Sequence, residues 1–378
     1  MLLIVALAML FDFLNGFRDS ASLVATIIAS HALPRRQALA IAALAELTGP
    51  FVFGVAVATT WGSNVLAERR VELSVILAAL VASIVWSVFT WWLGLPSSSS
   101  HALVGGLVGA AMLEHGLGVI QLAGLGKVLL ALAISPPLGL IVGYLTMKLV
   151  LFLARGATPR INRFFRQSQI VTAVTLALAY GANDAQKTMG VMSLALVTAG
   201  VLPTFYVPGW VVGISAGSVA LGTAVGSRRL IKTLGAKFFQ VRPVHGFTTQ
   251  VASAAVILGA AILGGPVSTT RVVGTALECV VALNRKWMYL APASTGLGVF
   301  GMLAAAPTVL ALRQVLTNRQ WQRVERFVRV SFGQGYKRTR RFAFQAVSDL
   351  EVHLIDWAPQ GQRKPSVYKG ASSRRATR

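Results

Sequence analysis

Long apolar runs separated by short polar segments limit most strongly how this chain can fold. From Ile76 to Leu93 almost every residue is apolar, and similar runs recur from the first residues to about residue 312. A membrane-spanning helix needs about 20 such residues. Lipid offers no hydrogen-bonding partner to the backbone, and these runs lack the alternation of barrel strands. The sequence therefore predicts an all-α polytopic membrane protein, located in the plasma membrane and crossing the lipid bilayer several times.

Composition supports this class and excludes others. Only 12% of the residues are charged, against about 25% in soluble domains, so we expect no soluble enzyme, no catalytic residues and no cofactor. The 36 glycines and 14 prolines predict closely packed or broken helices. The single cysteine, Cys279, excludes both a disulfide framework and a thiolate metal site.

Two short motifs occur twice, at nearly the same offset. The tetrapeptide Gly16 to Asp19 corresponds to Gly181 to Asp184, and the segment Pro96 to His101 corresponds to Pro266 to Arg271. Matching polar interruptions in two halves of a membrane protein are typical of transporters built from inverted repeats. Basic residues also change sides between equivalent loops, which favours opposite orientations of the two halves. We predict two inverted transmembrane repeats, 1–153 and 169–312, joined by a basic cytoplasmic connection, 154–168.

The C-terminal segment, 313–378, has a different composition. It is polar and rich in arginine, with Arg313, Arg319, Arg323, Arg326 and Arg329 near its start. A polybasic segment of this kind is typical of a solvated cytoplasmic tail near anionic lipid. It has neither zinc-ligand spacing nor an RNA-recognition signature, so we expect no nucleic-acid partner. We also expect this tail to be dispensable for the function of the repeats.

Polar side chains inside apolar surroundings need partners. Asn15, Asp19 and Asp184 lie in such surroundings, where an unpaired carboxylate costs several kcal/mol. One interpretation is structural: these side chains cap broken helix ends and pair with Arg18 or Lys187. The other is a cation site, because carboxylate and amide oxygens suit a hard ion such as sodium, or a proton.

Two clusters of serine and threonine, Ser97 to Ser100 after Pro96 and Ser268 to Thr270 after Pro266, favour an anion instead of a cation. Each follows a proline, which can begin a helix, so its hydroxyls would lie beside unpaired N–H groups at the positive end of a helix dipole. That arrangement binds a tetrahedral oxyanion. The alternative is that each cluster only caps its own membrane helix.

At these residues the sequence resembles the bacterial form of the PiT family of inorganic phosphate transporters. The resemblance covers approximately residues 1 to 312 and rests on four stretches, which read "FDFLNGFRDSASLVAT", "GLPSSSSHALVGG", "GANDAQKTMG" and "GGPVSTTR". It implies an inverted-repeat helical transporter, often a homodimer. In such a transporter re-entrant hairpins rich in serine and threonine hold phosphate near the membrane midplane, and sodium or protons are the coupling ion.

Matching residue by residue, the resemblance implies two sets of site residues. The coupling ion would be held by Asn15, Asp19, Asn183 and Asp184, with Asp19 and Asp184 as the metal ligands if the ion is sodium. Phosphate would be held by Ser98, Ser99, Ser100, Ser268, Thr269 and Thr270.

Four residues depart from the usual pattern of the family: Arg18 and Arg271 replace histidines, Ser22 an asparagine and Gln250 a glutamate. Arginine is permanently charged and binds phosphate through two donors, so we include Arg18 and Arg271 in the predicted phosphate site. Alternatively, their side chains extend to the membrane interface.

Three functions are compatible with the sequence. The first is a symporter that moves phosphate together with sodium or protons. The second is a carrier of another tetrahedral oxyanion such as sulfate, and the third is a degenerate relative that transports nothing. Phosphate retains a proton near neutral pH that sulfate lacks, so a carboxylate at the site favours phosphate.

Overall fold

The protein is all-helical in the part described by our computed structural model, which covers residues 1–63, 72–93, 97–158, 160–232 and 241–282. The first five helices are α1 (Leu2–Ala29), α2 (Arg35–Phe53), α3 (Ala56–Ser63), α4 (Leu73–Leu93) and α5 (Ser99–His115). They are followed by α6 (Leu122–Leu153), α7 (Ile161–Thr198), α8 (Gly209–Val225), α9 (Arg228–Lys232), α10 (Pro243–Ile262) and α11 (Thr269–Ala282). The predicted all-α class is confirmed. Residues 283–312 of the predicted second repeat, Pro96 and the tail lie outside the described residues.

Within those residues, three helices are long and apolar enough to cross a membrane, namely α4, α6 and α10. Helices α2 and α3 meet that criterion together, although they are bent by 81°. The bend falls at Gly54, whose φ of 77° favours a residue without a side chain.

Helices α1 and α7 form the centre of the fold and hold the two aspartate motifs. We expected these motifs to interrupt the spans, but both helices continue through them. Helix α7 also begins at Ile161, within the segment predicted as the cytoplasmic connection. The polar side chains of the motifs are buried against other helices and do not face lipid, so the helical backbone needs no break to accommodate them.

Small residues let the central helices approach their neighbours closely. A Cβ atom on Gly16 of α1 would overlap the Val219 carbonyl of α8, and one on Gly181 of α7 would overlap the Glu46 carbonyl of α2. Gly16 and Gly181 hold the same place in the two repeated motifs, three residues before an aspartate. These crossings thus place Asp19 and Asp184 in the protein interior. The opposite orientation of the two repeats stays a prediction.

Helices α5 and α11 both start inside the protein. Helix α5 packs on α4 where Gly106 approaches Ala79, and α11 packs on α6 where Gly139 approaches Val272. Helix α11 begins three residues after Pro266, so this proline precedes the helix and does not open its first turn as predicted. The intervening segment is fixed by the Ser268 backbone N–H, which donates to Ser135 Oγ of α6 at 3.2 Å.

Candidate functional site

The two hydroxyl clusters meet in the protein interior. Ser268 Oγ donates a hydrogen bond to Ser98 Oγ over 2.9 Å, which joins the start of α11 to the start of α5. Ser98 is also the N-cap of α5, and its hydroxyl lies 2.8 Å from Nδ1 of His101. Both serines are buried. The sequence placed these clusters in different halves of the chain, and the structure brings them into contact.

The threonines of α11 connect this pair of helix starts to the two aspartates. Thr269 Oγ1 donates to the Asp184 carboxylate, at 2.9 Å from Oδ2 and 3.1 Å from Oδ1. The neighbouring Thr270 Oγ1 donates to Asp19 Oδ1 over 3.0 Å. Two of the residues predicted for the anion therefore contact the two aspartates predicted for the cation.

The two aspartates differ in their charged partners. Lys187 Nζ forms an ion pair with Asp184 Oδ1 within one turn of α7, and both side chains are 1% exposed. Sequence reasoning placed Lys187 among the structural partners and not in the site. The pairing of Asp184 with Lys187, which the structural interpretation expects, is therefore present. The expected capping of a broken helix end is not, because α7 continues past Asp184.

The Arg18 side chain contacts the residues that precede α5. Its Nη2 donates to the Ser97 carbonyl over 2.7 Å and also to the Ser97 hydroxyl. The side chain is 3% exposed, so the alternative in which Arg18 extends to the membrane interface is wrong. The guanidinium group instead ties α1 to the residues that precede α5. Arg271 is buried as well, at 6% exposure.

Several oxygen and nitrogen atoms around these groups are buried without a hydrogen-bond partner. They include both polar atoms of the Asn15 amide, Asp19 Oδ2, Asn183 Oδ1 and Ser100 Oγ. The Asn183 amide nitrogen donates to the Gly265 carbonyl over 3.3 Å, which leaves its oxygen available. Carboxylate, amide and hydroxyl oxygens of this kind can ligate a hard cation.

The structure also places Ser22, Ser99 and Gln250, which the sequence analysis singled out. A small cleft between α1 and the starts of α5 and α11 is lined by Arg18, Asp19, Ala21, Ser22, Ser97, Leu230 and Thr270. Ser99 is the first residue of α5 and is buried. Gln250 donates to Thr26 Oγ1 over 3.1 Å and accepts from Thr172 Oγ1 over 2.6 Å. Gln250 thus joins α10 to both central helices.

Two buried carboxylates escaped the sequence analysis. Glu46 of α2 accepts a hydrogen bond of 2.5 Å from Thr223 of α8, and its Oε1 has no partner. Asp12 of α1 is 0% exposed, and both its oxygens lack a partner. The signal that could have found them is an acidic residue inside an apolar run, without a counterpart in the other half.

The fold and the site together define a class. Helices that begin inside a membrane protein and meet buried carboxylates are typical of secondary transporters. A family model described as "Phosphate transporter family" matches residues 15–329. The chain belongs to this family, which confirms the resemblance and agrees with the prediction of a membrane transporter that is not an enzyme. The match extends beyond residue 312, where we had placed the end of the second repeat.

Curated relatives and a solved structure agree with this assignment. A protein of Bacillus subtilis (strain 168) is 38% identical over 75% of this chain and 86% of its own length. A protein of Rhizobium meliloti (strain 1021) is 39% identical over 75% of this chain and 85% of its own length. Both are named "Probable low-affinity inorganic phosphate transporter". A solved structure, described as "The sodium-dependent phosphate transporter", has a TM-score of 0.75 and 21% identity, covering 84% of this chain and 98% of that one. This last similarity shows the fold.

Proposed function

We propose that this protein carries inorganic phosphate across the plasma membrane as a symporter coupled to a cation. The observation that carries the proposal is the pair of adjacent threonines at the start of α11, which contact Asp184 and Asp19 on the two central helices. The names of the relatives support phosphate as the substrate, and the sodium dependence of the structurally similar transporter supports sodium as a coupling ion. The dimer implied by the resemblance stays a prediction.

The anion would bind where α5 and α11 begin. Both helices have unpaired N–H groups at their first turn, and the positive end of each helix dipole favours negative charge. The Ser100 hydroxyl, which has no partner, would add a donor. The hydroxyls of Ser268, Thr269 and Thr270 donate to Ser98 and the two aspartates, so they would have to turn toward the anion to bind it. Bonds from donors to an ionised phosphate are stronger than those between neutral groups. The Arg18 guanidinium, which contacts Ser97, adds a fixed positive charge beside the cleft.

The cation would bind among the oxygens of Asn15, Asp19, Asn183 and Asp184. A threonine hydroxyl that donates to a carboxylate still has lone pairs for a cation. Because Lys187 already balances Asp184, we propose that the mobile cation depends mainly on Asp19. Its charge would offset part of the charge of phosphate, so the two ions would bind more tightly together than separately.

Uptake of labelled phosphate into proteoliposomes tests this function. We expect accumulation when an inward sodium or proton gradient is imposed, and loss of accumulation when an ionophore collapses that gradient. Unlabelled sulfate should compete weakly, because only phosphate has a proton to donate to a carboxylate. Equal competition by sulfate would favour a general oxyanion carrier. Absence of uptake under every gradient would favour a relative that does not transport.

A further inference from the structure

The guanidinium group of Arg18 is buried without an ionic partner among the described residues. Its side chain is 3% exposed. Nη2 donates to the carbonyl and the hydroxyl of Ser97, which are both neutral, and Nε has no hydrogen-bond partner. A buried charge that no opposite charge balances is costly. The fold therefore keeps an uncompensated positive charge beside the cleft that Arg18 lines.

The two aspartates of the site leave this charge unbalanced. Asp19 is the next residue of α1, but adjacent side chains of a helix point about 100° apart. Asp19 accepts a hydrogen bond from Thr270 over 3.0 Å, and its Oδ2 has no partner. Asp184 is paired with Lys187. Arg18 and Asp19 thus line the same cleft as separate charges of opposite sign.

A fixed positive charge acts in opposite directions on the two transported ions. It attracts phosphate, and it repels a sodium ion that approaches Asp19. Arginine stays protonated, so neither effect disappears within the pH range of a cell. Both effects are stronger in a buried site than in water, because the effective dielectric constant is lower there. Phosphate supplies the negative charge that Arg18 lacks, whereas sodium alone adds a second positive charge.

We propose that Arg18 makes phosphate bind to this protein before sodium. This order rests on the cation-coupled phosphate transport proposed above, and it adds the sequence of the two binding steps. Phosphate enters the empty cleft and balances Arg18, and sodium then binds at Asp19 against a smaller repulsion. Because Arg18 departs from the usual pattern of the family, the order is a property of this chain.

Equilibrium binding to the purified full-length protein tests the order with each ion alone. We expect labelled phosphate to bind in choline buffer without sodium. Labelled sodium should bind at Asp19 about tenfold or more weakly without phosphate than with it, and Asp19→Asn identifies the sodium bound there. Sodium that binds equally tightly without phosphate, or phosphate that binds only after sodium is added, would overturn the order.

Substitution of Arg18 tests whether its charge sets the order. Arg18→Gln should weaken phosphate binding about tenfold or more, as expected for the loss of a bond between charged groups. The same variant should bind sodium more tightly in the absence of phosphate. These opposite changes distinguish the loss of a charge from a folding defect, which would weaken the binding of both ions. Arg18→Lys keeps the charge and should keep the order.

Arg35→Gln is the matched control. Arg35 also donates to backbone carbonyls, those of Val225 and Gly226, but it does not line the cleft. Its loss should change the affinity for neither ion. If Arg18→Gln weakens the binding of both ions or of neither, Arg18 does not set the order. Absence of phosphate binding even with sodium would contradict the proposed transport itself, whereas phosphate binding that requires sodium overturns the order alone.

Discussion

The buried ion pair between Asp184 and Lys187 makes two equivalent positions of the repeat unequal. Asp184 has an ammonium partner on its own helix, whereas Asp19 accepts from Thr270 and keeps one oxygen without a partner. Removing one member of a buried pair leaves an uncompensated charge, but replacing both members by apolar residues is often neutral. The two aspartates should therefore respond differently to the same substitution.

We expect Asp184→Asn to lower the amount of folded protein, because a buried charge without its partner costs about 3–5 kcal/mol. Asp19→Asn should leave that amount unchanged and abolish gradient-driven uptake. Western blots of membranes and uptake into proteoliposomes measure the two effects. The double variant Asp184→Leu with Lys187→Leu is the control, and it should restore the amount of protein. Equal abundance of Asp184→Asn and the unmodified protein would contradict the importance of the pair.

The hydroxyl of Thr269 offers a test of the shared site. The Thr269 hydroxyl donates to Asp184 and would turn to phosphate when the anion binds. A hydrogen bond to a charged group contributes about 1.5–3 kcal/mol, so Thr269→Ala should weaken phosphate binding about tenfold or more. Thr269→Ser keeps the hydroxyl and should bind phosphate nearly as the unmodified protein does. Equilibrium binding of labelled phosphate distinguishes these variants. If Thr269→Ala binds phosphate normally, the anion binds away from the start of α11.

At the scale of helices, glycine residues at the crossings let the helices approach closely, and these crossings position the site. A Cβ on Gly222 of α8 would overlap the Phe13 carbonyl of α1, whereas a Cβ on Gly217 of the same helix would have nothing within 4 Å. Alanine at an open helical position stabilises by up to about 1 kcal/mol relative to glycine. Overpacking at a closed position costs about 1–3 kcal/mol.

We therefore expect Gly222→Ala to lower the melting temperature and Gly217→Ala to leave it unchanged or raise it. Because the α1–α8 crossing also fixes Asp19, Gly222→Ala should reduce phosphate uptake per folded molecule. Fluorescence-detected thermal unfolding of the purified variants measures the first effect. Equal melting temperatures for the two alanine variants would mean that α1 and α8 separate without cost.

The helices also show what a sequence can and cannot predict. The hydroxyl clusters were identified because they occur in both halves, and the structure places Ser98 against Ser268. The continuity of α1 and α7 was not predicted, because hydropathy falls at Arg18, Asp19 and Lys187 whether or not a helix ends there. Only the packed structure shows that these charges have partners inside the protein. Asp12 and Glu46 were missed for a related reason, since a comparison of repeats finds only residues that occur twice.

At the scale of the whole molecule, the site and the basic tail belong to different parts of the chain. The chain divides into two units, Met1–Leu316 and Thr317–Arg378. All predicted site residues belong to the first unit. The family match ends at residue 329, so the rest of the tail lies beyond it. Attraction to anionic lipid stabilises a polybasic segment at the membrane surface by about 1 kcal/mol per basic residue. The first half of the chain has no equivalent of this segment.

We expect a chain ending at Arg329 to insert into the membrane and to retain gradient-driven phosphate uptake, because it keeps the whole family match. A chain ending at Ile262 is the matched negative control, since it lacks α11 and with it the threonines that contact Asp19 and Asp184. Uptake should be normalised to the amount of protein in the membrane. If the chain ending at Arg329 is as abundant as the full chain but transports no phosphate, the tail takes part in transport, and its role extends beyond attraction to lipid.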